Sequence, residues 1–533
     1  MSTAQTSTRP AGETLAKSQK TEDVRTHNIR AARAVADLMR SSLGPKGMDK
    51  LLETARGEVI ITNDGATILQ NISALQPSAK LLIQVSKAQD VEVGDGTTTV
   101  VVVAGALLAA AEELIRRGIH PSQISDGFAE ALKHALRVID SVARKVDLTD
   151  EEQLLQCVKT SLASKIVSQN AAELAPLALE AVKRVIDLGS ATSLDLQSIK
   201  LVKKLGGTLD DIELVSGLAF ADNHPSGAAG GPLKLLKPRV AVLQFCLSSP
   251  KTDMESQVAV SDYAQIDKIL KEERRYVLEL VKKIANCGAT VVLLQKSILR
   301  DAVSDLALHF LAKKRIMVVK DVERTDVEFI CRTLNCTPIA HPDALKSEKL
   351  GAAETAEEVT LSDGSKLFRI EVRNAPTATI LVRGSSQLVV DEAERSMHDA
   401  LCVIRSLVKN RGVVGGGGAI EIEVARALEE LADRQERGAE AMVFKAFAEA
   451  LEAVPATLAE NCGLSPIKVV TELRTKHKRG LTFCGLKART GAVVDNTFEH
   501  KIMQPALVSI SALTLATEVT RMILKIDDVL QSR

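Results

Sequence analysis

The chain has 533 residues, with Lys plus Arg balancing Asp plus Glu at 68 each. Zero formal charge argues against a dedicated nucleic-acid or membrane-surface binder, and 2% aromatic residues with no Trp leave few platforms for stacking bases. At 45% apolar the chain can build sizeable, mainly aliphatic cores, and its length suggests about three domains.

Residues 1–23 lack an apolar stretch and read as a solvated, disordered tail rather than a signal peptide. From there to about 150 the periodicity predicts helices over 29–41, 78–88, 97–117 and 122–143. The longest apolar run, Thr99 to Ala111, is too short to cross a bilayer, so a soluble protein is expected. One β signal interrupts the helices, two apolar runs around Asn63-Asp64-Gly65, a strong hairpin-turn sequence. A helical block follows to about 187.

Between about 195 and 375 the texture changes. Strand candidates Arg239–Cys246, Thr290–Leu294 and Arg315–Val319 alternate with helix candidates at 262–286 and 300–313, the pattern of a parallel α/β unit. A polar, Pro-containing stretch at 247–256 suits a projecting segment. From 388 the chain is helical again, over 388–410, 419–434, 438–454, 466–478 and 504–525. A helical domain interrupted by an α/β insert accounts for this order, with connecting pieces near 150–215 and 375–410.

The eight cysteines are sparse, and neither C-x-x-C pairs nor histidine pairs at metal spacing occur. Reduced thiols and no zinc site are expected. There is no G-x-x-x-x-G-K-[ST] and no G-x-G-x-x-G after a strand, which excludes an ordinary P-loop and weakens a dinucleotide reading. Four Gly- or Asp-bearing stretches remain: SLGPKGMDK (42–50), TNDGATIL (62–69), GDGTTT (94–99) and GGGGA (415–419). Each also has a bland explanation, as helix terminator, hairpin turn, capped helix start or flexible joint. Together they supply what magnesium-nucleotide chemistry needs: backbone N–H groups for phosphates and carboxylates for the metal and the attacking water. Asp399 adds an acid on a helix, unless it forms only a surface i,i+4 pair with Arg395.

In this order SLGPKGMDK, TNDGATIL, GDGTTTVVVVAG, the HDAL helix (398–401) and GGGGA resemble the group II chaperonins of TCP-1/thermosome type, over nearly the whole chain. FCLSSPKTDM (245–254), VSDYAQ (260–265), QKSILRDA (295–302), SDLALHFL (304–311), SALTLATE (511–518) and ILKIDD (523–528) are similar to one subunit class of the eukaryotic cytosolic chaperonin. The resemblance implies a multidomain α and α/β chaperonin fold. An equatorial ATPase domain would comprise 24–150 and 411–533, an intermediate domain 151–215 and 375–410, and an α/β apical substrate-binding domain 216–374 with a helical protrusion as lid. It further implies a cytoplasmic ATP-dependent folding machine of paralogous subunits in eight-membered double rings. Its partners would be unfolded clients such as actin and tubulin, and prefoldin, with neither nucleic acid nor membrane.

Residue by residue, the resemblance implies that Gly44 contacts nucleotide and Asp95 is a Mg²⁺ ligand. Gly96, Thr97, Thr98 and Thr99 would cradle phosphates, with Gly417 near the ribose or base. Asp399 would activate the attacking water, Asp64 would stand beside the γ-phosphate, and Lys165 of TSLASK would sense nucleotide. Gln504 departs from the family pattern, since many members carry an acid before the proline near the ribose; an amide can still hydrogen-bond hydroxyls. Asp399 would reach the site by movement of its domain. Two alternatives are a ring position kept for architecture and client contact with weak hydrolysis, and a small-substrate α/β enzyme, for which no further catalytic dyad is available.

Overall fold

The computed structural model describes residues 16–529 except 55–56, 73, 75, 188, 190, 224, 226–229, 250–259, 261–262, 299–300, 362, 374 and 435–437. Residues 1–15 of the expected tail, and most of the stretch 247–256 expected to project, lie outside the described residues. The chain divides into two compact units, Met1–Ala175 with Arg395–Arg533, and Pro176–Glu394.

Helix α1 (Ala16–Arg40) starts inside the stretch read as tail. The sequence AKSQKTED is polar but rich in Ala, Lys, Gln and Glu, whose helix propensity a composition reading ignores. Strand β1 (Lys50–Glu53) pairs antiparallel with β2 (Val59–Thr62), and α2 (Gly65–Asn71) follows at once. Asn63-Asp64-Gly65 is therefore a strand-to-helix junction rather than a hairpin apex. Asp64 caps α2, accepting from the N–H groups of Ala66 and Thr67, and that cap competes successfully with the turn. Helices α3 (Pro77–Glu92), α4 (Thr97–Arg116) and α5 (Pro121–Val142) follow. Pro77 and Pro121 occupy first helical positions, where the missing N–H has no intrahelical partner to lose. The β-branched run Val100–Val103 in α4 favours a strand by propensity alone. It is helical because all four side chains are 2% exposed or less. Next come β3 (Arg144–Lys145), α6 (Glu151–Leu162) and α7 (Ala171–Val185).

The second unit carries β4 (Ile199–Leu205), β5 (Glu213–Val215), β6 (Gly217–Phe220), β7 (Lys234–Leu236) and β8 (Arg239–Leu243). Then α8 (Tyr263–Cys287), β9 (Val291–Gln295), α9 (Asp305–Lys313), β10 (Met317–Val322) and α10 (Arg324–Leu334) alternate. Strands β11 (Gly351–Ala352), β12 (Thr355–Thr360), β13 (Lys366–Glu371) and β14 (Ala378–Gly384) follow. As the alternation predicts, β8, β9 and β10 are parallel neighbours, with β11 antiparallel at the β8 edge. Val291 and Leu293 of β9 enter one apolar cluster, while Val292 and Leu294 enter another, so the sheet is buried on both faces. The first cluster also takes Leu218, Phe220, Phe368 and Ile370 from a second, antiparallel sheet ordered β6-β13-β12-β7. A third sheet joins β4, β14 and β5.

Helix α11 (Gln387–Lys409) leads to β15 (Gly412–Gly415) and then α12 (Ala419–Arg434), α13 (Ala439–Leu451), α14 (Ala453–Asn461) and α15 (Pro466–Lys478). Strands β16 (Gly485–Lys487), β17 (Ala492–Val494) and β18 (Met503–Pro505) precede α16 (Ala506–Lys525). Strand β15 pairs with both β18 and β3, which ties the GGGGA segment to residue 504. The core of this first unit gathers side chains from α1, α3, α4, α5, α12, α13 and α16, with Phe128 and Phe447 edge to face at 5.5 Å. Helices α4 and α16 are long and apolar enough to cross a membrane by length and composition, the full α4 exceeding the uncharged run seen in sequence; 61% of each apolar window is buried within the fold.

Candidate active site

The four scattered motifs meet in the first unit. A cavity of about 620 Å³ is lined by Gly44, Asp64, Asp95, Gly96, Thr97, Thr98, Thr99, Lys165, Asp399, Gly417 and Gln504, which are all of the site residues expected from sequence. Its size is that of a small-molecule pocket.

One wall is the junction of α3 and α4. Gly94 and Gly96 both stand at φ 77°, a left-handed conformation that L side chains rarely adopt. A Cβ on Gly94 would lie 2.3 Å from Cys402 Cβ, and one on Gly96 would lie 2.9 Å from Val508 Cγ1. Between them, Asp95 accepts the Gly96 N–H on Oδ1 at 2.7 Å, while its carbonyl accepts from the Gln89 amide at 2.9 Å. Among the described residues no side chain caps α4. The N–H groups that open any helix therefore point from Thr97, Thr98 and Thr99 with no side-chain capping oxygen among the described residues. Such an end favours an anion through both hydrogen bonding and the helix dipole.

The second wall carries two acids and a lysine. Lys165 Nζ lies 2.6 Å from Asp399 Oδ2 and 3.9 Å from Asp64 Oδ1. Asp64 further accepts from Thr67 Oγ1 at 2.7 Å and Thr97 Oγ1 at 3.3 Å, so it bridges the starts of α2 and α4. Gly65 permits that closeness, because a Cβ there would stand 2.6 Å from Thr98 Oγ1. Burial raises the Asp64 carboxyl, but Lys165 and the donors of Thr67 and Ala66 outweigh it and hold it below its ordinary value. Asp399 is 7% exposed. Burial pushes its carboxyl up to about 8, with Lys165 opposing and Asp64 adding to the rise. The surface pair of Asp399 with Arg395 does not describe this residue: it faces inward, and its partner comes from the segment after α6. Asp399 lines the cavity together with Asp64.

The third wall is the glycine turn. Gly417 and Gly418 stand at φ 68° and 82°, and a Cβ on Gly417 would meet the Leu486 carbonyl oxygen at 2.3 Å. The turn is pinned by Leu486 N–H to Gly417 O at 2.9 Å and Gly416 N–H to Ile502 O at 3.2 Å, so it is a held ledge rather than a flexible joint. Gln504 lies opposite Val414 in the sheet and donates its amide N–H to Ser509 Oγ at 2.8 Å. Its side-chain oxygen is thereby the end left to accept.

Two residues escaped the sequence reading. Glu421, in the first turn of α12, is 7% exposed and lines the cavity. Its Oε2 has no hydrogen-bond partner among the described residues, and burial pushes its carboxyl up to about 7. An acid three residues beyond a glycine run that opens a helix was the available signal. Arg405 of α11 donates to the Val91 and Glu92 carbonyls, each at 3.0 Å, and so fixes the end of α3 from which the Asp95 turn departs.

Among known proteins, the model of the TCP-1/cpn60 chaperonin family matches residues 35–533. T-complex protein 1 subunit delta of Rattus norvegicus is 54% identical over 516 residues, covering 96% of this chain and 95% of the rat protein. The protein of the same name from Schizosaccharomyces pombe is 54% identical over 97% of each chain. That from Saccharomyces cerevisiae is 50% identical over 98% of this chain and 99% of its own.

Proposed function

The chain belongs to the TCP-1/cpn60 chaperonin family, and from that premise we propose that its first unit hydrolyses ATP. One observation carries the reading: Asp64, Asp95, Lys165 and Asp399 line a single cavity together with the uncapped first turn of α4. Phosphoryl transfer to water asks for little covalent chemistry from a protein. It asks for placed N–H donors, a metal-holding carboxylate and a base for the water.

The residues present fit Mg²⁺, which takes one or two carboxylates and completes its shell with phosphate oxygens and water. Asp95 would hold it, and the bound metal would neutralise charge on the phosphates. Thr97, Thr98 and Thr99 would receive phosphate oxygens on their N–H and hydroxyl groups. Gly44 and Gly417, free of side chains, would let the nucleotide approach the backbone, and Gln504 would accept from a ribose hydroxyl. Asp399, whose carboxyl burial pushes up to about 8, has the basicity to take a proton from water, with Asp64 orienting the same water. Lys165 would exchange its contact with Asp399 for one with the terminal phosphate, freeing the base when nucleotide is bound.

The relatives are by name delta subunits, so the chain would act as one subunit of a cytoplasmic hetero-oligomeric chaperonin of paralogous subunits in eight-membered double rings. Hydrolysis would drive closure of a lid over unfolded clients, actin and tubulin among them, with prefoldin as a delivering partner. Purification through a tag on this chain tests the reading. Co-purifying paralogues and Mg²⁺-dependent phosphate release are expected, and a lone monomer without hydrolysis would overturn it.

A further inference from the structure

Helix α10 ends on Asn335, a left-handed residue at φ 49°, ψ 49°. The Cys336 N–H then donates back to the Cys331 carbonyl at 3.1 Å. This six-to-one hydrogen bond defines a Schellman end, in which the residue after the left-handed one folds its side chain against the residue five positions earlier. An apolar pair ordinarily fills that contact. Here both positions are cysteine.

Two observations bring the two side chains together. Cys331 belongs to the apolar cluster between the central parallel sheet and the β6-β13-β12-β7 sheet, and Cys336 packs against the same cluster. Gly351 at the start of β11 closes over the turn, since a Cβ there would lie 2.7 Å from Leu334 Cβ and 3.4 Å from Cys336 Cβ. The Cys336 thiol beside it holds the Cys331 thiol below its ordinary range, while Cys331 and burial hold the Cys336 thiol above. By contrast, burial alone pushes Cys157 up to about 12, and burial, with Arg405 opposing and Asp399, Asp90 and Asp95 adding, pushes Cys402 up to about 12. Cys331 is 9% exposed and Cys336 is half-buried, so the pair sits at the edge of the core.

We infer that Cys331 and Cys336 form a dithiol site that reacts with small-molecule disulfides and closes reversibly into an intrachain disulfide. One cysteine, as thiolate, attacks a sulfur of the small disulfide, forming a mixed disulfide and releasing one small thiol. The second cysteine loses its proton and attacks the protein-bound sulfur, releasing the second small thiol. The two protein thiols are oxidised to one disulfide, and the small disulfide is reduced to two thiols. The closed loop is short, so the bond constrains the unfolded chain little and stays easy to reduce. Just beyond it, Ile339 donates to the Val242 carbonyl and accepts from the Gln244 N–H, so the turn lies next to strand β8 of the central sheet. The site is independent of the ATPase reading.

Trypsin cuts after Arg324, Arg332 and Lys346, so the two cysteines fall in separate peptides, 325–332 and 333–346. The full-length chain, in the assembly it forms, is treated under native conditions with oxidised glutathione, alkylated and digested without reductant. The expected result is loss of both free peptides and gain of the linked pair, reversed by dithiothreitol. Cys331→Ser and Cys336→Ser should each abolish the pair and leave a persistent glutathione adduct on the remaining cysteine. A wild-type chain that keeps a stable glutathione adduct without linking overturns the inference. So does one whose two cysteines stay unmodified in the native protein yet react after denaturation, which would make them apolar filling of the turn.

Discussion

Asp64-Gly65 and Asp95-Gly96 both open a helix, yet one helix end is closed by its aspartate and the other is left open. Asp64 sits at the cap in extended backbone, so its oxygens reach the N–H groups of Ala66 and Thr67. Asp95 stands one residue earlier, and the cap is Gly96 in a left-handed turn that directs the carboxylate back to the Gly96 N–H. A shift of one residue converts a helix cap into a carboxylate that caps no helix, beside N–H donors that no side chain of the described residues caps. The lesson is that an Asp-Gly pair acquires its role from the backbone conformation at the glycine.

The largest effect should come from the buried acid paired with Lys165. Asp399→Asn should lower steady-state hydrolysis about 10²–10⁴-fold, roughly 3–5 kcal/mol in the barrier, while equilibrium nucleotide binding persists. Unchanged phosphate release would detach Asp399 from the chemistry. Asp95→Asn should reduce hydrolysis about a hundredfold, near 2.7 kcal/mol, and raise the Mg²⁺ concentration needed for half-maximal rate. Equal Mg²⁺ dependence in variant and wild type would remove it as the metal's ligand.

A pH profile separates the base from the cradle. The raised Asp399 carboxyl keeps its proton in the folded chain at pH values where the unfolded chain has lost it. Hydrolysis should therefore climb with pH and level off above about 8, a rise that Asp399→Asn abolishes. The same shift makes the folded state lose stability as pH rises from the ordinary carboxylate range through about 8. The smallest effect sharpens the opening contrast. Asp64→Ala should cost about 1 kcal/mol of stability by uncapping α2, whereas Asp95→Ala, which caps no helix, should stay within ±0.5 kcal/mol. Equal losses in denaturant titrations would show that the two aspartates do the same structural work.

Much of this was legible in the residues. The helical, α/β, helical order, the parallel β8–β9–β10 core and the glycine-bearing stretches follow from periodicity and spacing, because burial enforces them locally. The role of Asn63-Asp64-Gly65 was not legible, since hairpin and helix cap use the same residues and only the pairing of β2 with β1 decides. Nor could spacing give Asp399 its partner: Lys165 is distant in sequence and meets it only after folding. Glu421 was missed because an acid in a first helical turn ordinarily marks dipole compensation at the surface. Helix α1 extends into 16–23 because helix formers outweigh a polar composition there.

The central claim is that the open start of α4 receives phosphate on its N–H groups. Hydrogen exchange of the peptide spanning Thr97–Thr99, measured on the full-length chain with and without Mg-ADP, addresses it most directly. Exchange at these amides should slow markedly with nucleotide bound and change little at the already capped Ala66 and Thr67. Nucleotide that binds measurably without slowing exchange at Thr97–Thr99 would contradict it.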